Sequence, residues 1–201
     1  FGDISAFDHQ EKFQEQALSH FEKLDINIEV KDEKRYLAPI VVEESYASEE
    51  SDKPQSHVVL AWLLGRSTDL GELFRAELVS SVLLDNSASP LLRVLETSDL
   101  GSSPSPMCGL EDSNREMSMM VGLEGCTAES SEAVENLIIK TLEDVVKNGI
   151  PYAQVEASLH QLELHQREIS GDSYPYGLQL ILAGLSTAMH RGDPIKLLNI
   201  D

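Results

Sequence analysis

The longest apolar run in the chain, residues 58–64 (Val-Val-Leu-Ala-Trp-Leu-Leu), constrains the fold more than any other feature. A membrane-spanning helix takes about 20 apolar residues, so this run is far too short to cross a bilayer. Bounded by His57 and by Gly65, it predicts a central strand over residues 57–64. Such a strand needs partners on its edges and apolar cover on its faces. Ile40, Val42, Glu44 and Tyr46 alternate with Val41, Glu43 and Ser45, which predicts a second strand. The polar loop 47–56, with Pro54, would join the two as an antiparallel pair.

The cover comes from helical periodicity. Asp69 or Thr68 caps a helix reaching Leu84, with Leu70, Leu73, Phe74, Leu78, Val82 and Leu83 as its apolar positions. Pro90 stands at the start of a short helix over 91–97. The plainest helix carries Val134, Leu137, Ile138, Leu142, Val145 and Val146, and Lys147-Asn148-Gly149 ends it. Pro151 opens another, carrying Val155, Leu159, Leu162, Gln166 and Ile169. A break at 171–175 precedes a helix over 176–189, and Asp193-Pro194 starts a last short one. Residues 101–106 (Gly-Ser-Ser-Pro-Ser-Pro) read as a loop. Residues 107–110 and 116–124 read as two strands joined by a turn at 111–115. Near the start, Asp8 with Glu11 forms a capping-box pattern ahead of Phe13, Ala17, Phe21 and Leu24, predicting a helix over 8–24. Residues 25–35 read as a polar linker or an exposed hairpin loop. The resulting fold class is α+β: an antiparallel or mixed sheet with helices on one face.

Charge narrows the function classes. Asp plus Glu number 35 against 15 Lys plus Arg, a formal charge of −20 over 201 residues. Such a field repels nucleic acid and anionic membranes and favours basic peptides. Two cysteines, Cys108 and Cys126, make neither a disulfide framework nor a zinc ribbon and fit a reducing, intracellular compartment. The chain opens at Phe1 without a signal-peptide pattern and stops at Asp201 inside what reads as a continuing element. A piece of a longer polypeptide is the expectation.

Motifs for chemistry are sparse. His160, Glu163 and His165 come within one residue of the inverted zinc motif H-x-x-E-H. Ligands at i and i+4 sit about 40° apart around a helix, whereas i and i+5 are about 140° apart. These two histidines therefore cannot reach one metal from a regular helix. His9, His20, His57 and His190 are scattered, and no nucleophile elbow or phosphate-binding glycine loop occurs. The acidic run Glu43, Glu44, Glu49, Glu50 and Asp52 reads as a solvated surface rather than a cation site. Met117 and Met119 share one face of a strand with Val121, where core packing is the default reading. A flexible peptide-binding face is the alternative.

Several stretches taken together resemble the presequence protease branch of the insulinase-type zinc metallopeptidases. They are Leu83-Leu84-Asp85-Asn86-Ser87-Ala88-Ser89-Pro90-Leu91, Glu96-Thr97-Ser98-Asp99-Leu100-Gly101, Val121-Gly122-Leu123-Glu124-Gly125, Val155-Glu156-Ala157-Ser158-Leu159-His160-Gln161-Leu162-Glu163, Tyr174-Pro175-Tyr176-Gly177-Leu178 and His190-Arg191-Gly192-Asp193-Pro194. The resemblance is to the family's second, non-catalytic domain and covers residues 36–201. It implies an insulinase-type domain over 31–201, truncated at its C-terminus. Residues 1–30 would be the trailing strand and helix of a preceding domain plus linker.

It also implies no cofactor in this segment. Zinc, and the H-x-x-E-H motif, belong to the preceding domain of the parent. The role implied is to wall a closed chamber and to hold unstructured peptides by backbone pairing, alongside the parent's other domains, and the acidic balance would suit basic ones. The compartment implied is a bacterial cytoplasm or an organelle matrix. The substrate-binding residues carried over are Ser87, Ala88, Ser89, Pro90 and Leu91 with Met107, Cys108 and Gly109. Gly109 keeps the family's glycine, while Ser87, Ala88 and Ser89 replace its glycine-rich turn. A structural or subunit-interaction module without peptide binding is the alternative.

Overall fold

A computed structural model of the chain describes residues 3–25, 29–47, 56–168 and 175–198. They fall into two compact units: residues 32–168, and a smaller unit formed by 1–31 with 169–201.

The larger unit is built on a four-stranded antiparallel sheet: β1 (Ser56–Arg66), β2 (Ser103–Pro104), β3 (Gly109–Glu111) and β4 (Glu116–Cys126). β4 is central. It pairs with β1 along one edge and with β2 and then β3 along the other. The β1–β4 register places Val58 opposite Leu123, Leu60 opposite Val121 and Trp62 opposite Met119. These pairs share one face and, with Cys126, Leu83, Leu91, Leu95, Val134 and Ile138, make the core. Met117 and Met119 are buried, so the methionines on this face are core packing rather than a binding surface.

Among the described residues four α-helices complete the unit: α2 (Leu70–Leu84), α3 (Pro90–Glu96), α4 (Ser131–Asn148), which follows a 3-10 turn at Ala128–Ser130, and α5 (Tyr152–Arg167). The Asp69 carboxylate caps α2 by accepting from the Gly71 and Glu72 N–H groups. α4 lays Val134 and Ile138 on the sheet. α5 packs on α2, where Gln154 Nε2 donates to the Val82 carbonyl at 3.3 Å.

The smaller unit holds α1 (Ala6–Gln16), a 3-10 turn at Leu18–His20, α6 (Tyr176–Met189) and α7 (Pro194–Leu198). α1 starts earlier than expected, because Ser5 rather than Asp8 is the cap: its Oγ accepts from the Asp8 N–H. It also ends at Gln16, well short of residue 24, and buries no side chain.

Three expectations for the sheet need correction. Residues 40–46 are not a strand, and β1 takes β4 as its antiparallel partner instead. The expected loop 101–106 contains β2, because β4 offers its free edge there: Ser102 and Ser105 N–H groups donate to the Glu124 and Gly122 carbonyls. The strand expected at 107–110 begins only at Gly109. Residues 105–108 turn between β2 and β3, with Cys108 N–H turned back on the Ser105 carbonyl. Residues 1–2, the acidic positions Glu49, Glu50 and Asp52, and residues 171–174 of the expected break lie outside the described residues.

The segment read as a polar linker contributes to the fold at its end. Asp32 accepts from Arg66 and from Arg115 Nε at 2.7 Å. Arg35 Nη2 donates to Glu116 Oε1 and to the Leu64 carbonyl, each at 2.7 Å. Residues 32–35 thus clamp the end where β1 leaves the sheet and β4 enters it. The two guanidinium groups hold the Asp32 carboxyl down to about 2, against an ordinary 3.8. A depressed carboxylate contributes stability that is full above its ordinary value and is lost as pH falls through the folded one. Lowering the pH from about 4 to about 2 should therefore lower the urea midpoint more in the native chain than in Asp32→Asn. Equal acid sensitivity of the two would show that this clamp contributes nothing.

Candidate functional site

The residues singled out from sequence lie on two segments of the larger unit, the α2–α3 turn and the stretch leading into β3. α3 packs on β2 and α2 on β3, and Leu91 and Cys108 meet at the same core cluster. The turn is closed locally. Ser89 N–H donates to the Asn86 carbonyl at 2.7 Å, Ala88 N–H donates to Asn86 Oδ1 at 3.0 Å, and Ser89 Oγ accepts from the Asn86 N–H. This arrangement points Ser87 and Ala88 into solvent and Ser89 inward. Pro90 is the first residue of α3 and is half-buried, and Leu91 is only 1% exposed. Asn86 and Ser89 in the family-like motif are thus accounted for by turn closure, and Leu91 by the core.

The second segment offers more surface. Met107 is exposed. Cys108 is half-buried and holds the Gly122 backbone in the gap between β2 and β3: Gly122 N–H donates to Sγ at 3.2 Å, and the thiol donates to the Gly122 carbonyl at 3.4 Å. Burial pushes this thiol up, so it is neutral at neutral pH. Gly109 opens β3 at φ +131°, and nothing lies within 4 Å of where a side chain would start. Among the described residues no strand pairs with the far edge of β3. At its other end Glu111 accepts from Ser113, whose N–H lies at 2.9 Å, and these hydrogen bonds lower its pKa. Ser87, Ala88, Met107 and Gly109 are therefore accessible, while Ser89 and Leu91 face inward and Cys108 is committed to the sheet.

The sheet also has an open face. Opposite the core, Val59, Ala61 and Leu63 of β1 stand across from Gly122, Met120 and Ser118 of β4. Ala61 and Leu63 are exposed. Sequence periodicity missed this face, because an almost wholly apolar run does not show which of its sides is covered.

The histidine pair sits on α5. His160 Nδ1 lies 3.8 Å from Glu163 Oε2, and Glu163 also takes Arg167 at 2.9 Å. These side chains are largely exposed, and the ion pairing stays within one helix. Among the described residues no three His, Cys, Asp or Glu side chains are grouped to hold a metal ion. No described helix is long and apolar enough to cross a membrane.

Residues 4–162 match the family model described as the peptidase M16 inactive domain. The chain is 33% identical over 205 residues to the mitochondrial presequence protease of Xenopus tropicalis, 30% over 203 residues to that of Danio rerio and 31% over 205 residues to that of Mus musculus. Each alignment takes in the whole of this chain but only 19–20% of the relative, so the chain spans about one fifth of these proteins. An α+β unit with an antiparallel sheet agrees with that assignment, and an inactive domain fits a segment without a cofactor of its own. The chain therefore belongs to the peptidase M16, or insulinase, family, as a presequence-protease-like inactive domain.

Proposed function

We propose that this chain is the non-catalytic domain of a zinc metalloendopeptidase that degrades short unstructured peptides, and that it helps to hold the peptide. The observation that carries the reading is the edge at β3. It has no strand partner among the described residues and begins at Gly109, where the side-chain position is empty. An extended peptide that adds there as a strand needs backbone room and little sequence, which suits unstructured substrates. The ionised Glu111 and the formal charge of −20 favour basic peptides. The open sheet face would form part of the chamber wall. Zinc would be held by another domain of the parent, and the mitochondrial names of the relatives support an organelle matrix.

Fluorescence anisotropy with a labelled, unstructured basic peptide tests this reading. Saturable binding that weakens as salt rises from about 0.05 to 0.5 M is expected, with the peptide recovered uncut. Absence of binding at low salt would instead favour a structural or subunit-docking module.

A further inference from the structure

Among its described residues the smaller unit buries no large apolar side chain, since the buried apolar residues all lie between Val82 and Ile138. α6 shows the deficit most plainly. Residues 176–189 carry no charged side chain, in a chain that is 25% charged. A helix that is apolar over most of its surface ordinarily lies buried. Here only one side is covered. Gly184 and Thr187 are buried, and a Cβ at Gly184 would stand 3.4 Å from that of Pro194 in α7. Leu178, Ile181, Leu182, Leu185 and Met189 are exposed, at the spacing i, i+3, i+4, i+7 and i+11 that makes one continuous stripe. α7 has five residues and lies along the other side.

We propose that this stripe is the docking face for the part of the parent polypeptide that this chain does not contain, and that an apolar surface of that part covers it. Three observations choose this occupant. The chain spans about one fifth of the relatives it matches, so a protein of their length has four fifths of its surface left to offer. A second copy would bring together two chains of formal charge −20, whose fields repel. A membrane fits no better, because α6 has 14 residues where about 20 are needed to span, and it has no Lys or Arg to lie on an anionic surface. The stripe has no charge to pair, so the surface that meets it is apolar rather than ionic. Burying it would supply the apolar contacts that the smaller unit lacks by itself. The proposal rests on the family assignment and not on peptide holding at β3, so either can fail without the other.

Amide hydrogen exchange read by mass spectrometry tests this on the full-length parent and on the 201-residue chain side by side. The amides of α6 should exchange at least about tenfold more slowly in the parent. In the parent, Leu182→Asp should erase that slowing and speed exchange in whichever outside segment covers the stripe, while β4 stays protected. Ala183→Asp, exposed but off the stripe, should leave the slowing in place. Leu182→Ala, a milder change, should give part of the Leu182→Asp effect if the charged variant does not fold. Equal α6 exchange in the parent and in the 201-residue chain would overturn the proposal. So would equal losses from Leu182→Asp and Ala183→Asp. Protection in the 201-residue chain that grows with protein concentration would assign the stripe to a second copy and overturn it as well.

Discussion

Gly122→Ala is expected to cost at least about 3 kcal/mol, enough to leave the larger unit largely unfolded in mild denaturant. The reason is contact rather than backbone conformation. A Cβ at residue 122 would lie 2.2 Å from the Val58 carbonyl oxygen and 2.8 Å from Val59 Cα. Both are backbone atoms of the partner strand, and Val59 is the residue directly opposite. They cannot yield without parting β1 from β4. Relief toward the other edge is blocked too, because Ser105 N–H and the Cys108 thiol hold the Gly122 backbone there. Gly71→Ala, in the first turn of α2, is the control. Its new methyl meets only ordinary contacts at 3.4 Å and 3.9 Å, and stability should change by no more than about 1 kcal/mol, in the direction of a gain. Urea unfolding followed by circular dichroism reads both variants. Equal midpoints would show that β1 and β4 are not packed as described.

Leu91→Ala should destabilise the larger unit by about 2–5 kcal/mol, while Ser87→Ala four residues earlier should stay within about 0.5 kcal/mol. Leu91 is 1% exposed within a cluster shared with Leu95, Leu123 and Ile138, so truncating it leaves a cavity that the sheet and α4 cannot both close. Ser87 stands in solvent. The two substitutions divide the α2–α3 turn into a part that holds the fold and a part available to a ligand. A small loss at Leu91 would mean that the turn is mobile enough to repack.

Much of this fold was legible because it is local. The spacing of Val134 and Ile138 announces α4, Asp69 announces the start of α2, and the expected bounds of α6 coincide with those observed. What escaped depends on distant partners. β2 is two residues inside a Gly-Ser-Ser-Pro-Ser-Pro loop and exists only because β4 presents an edge to it. Residues 40–46 carry a strand's alternation, but β1 takes the distant β4 as its partner, and no local pattern announces that choice. The Asp32 clamp joins residues 34 and 83 positions away in sequence, so the charge run Lys31-Asp32-Glu33-Lys34-Arg35 gave no sign of it.

The site was legible to a similar extent. The ordered family-like motifs pointed to the turn and to the β3 segment. Nothing in local spacing separates the solvent-facing Ser87, Ala88 and Met107 from the inward Ser89 and Leu91. That difference arises from how Asn86 closes the turn and from where α3 meets the core.

The central claim, that the sheet edge at β3 holds an extended peptide through its backbone, is tested most directly with two peptides of one sequence. One is unmodified, and the other is N-methylated at every second residue along the edge that would face β3. The chain should bind the unmodified basic peptide and bind the methylated one at least about tenfold more weakly, because the methyl groups remove the donors that strand addition uses. Both peptides should be recovered intact after incubation with zinc. Equal affinity for the two would contradict backbone pairing, and cleavage abolished by His160→Ala would contradict a non-catalytic domain.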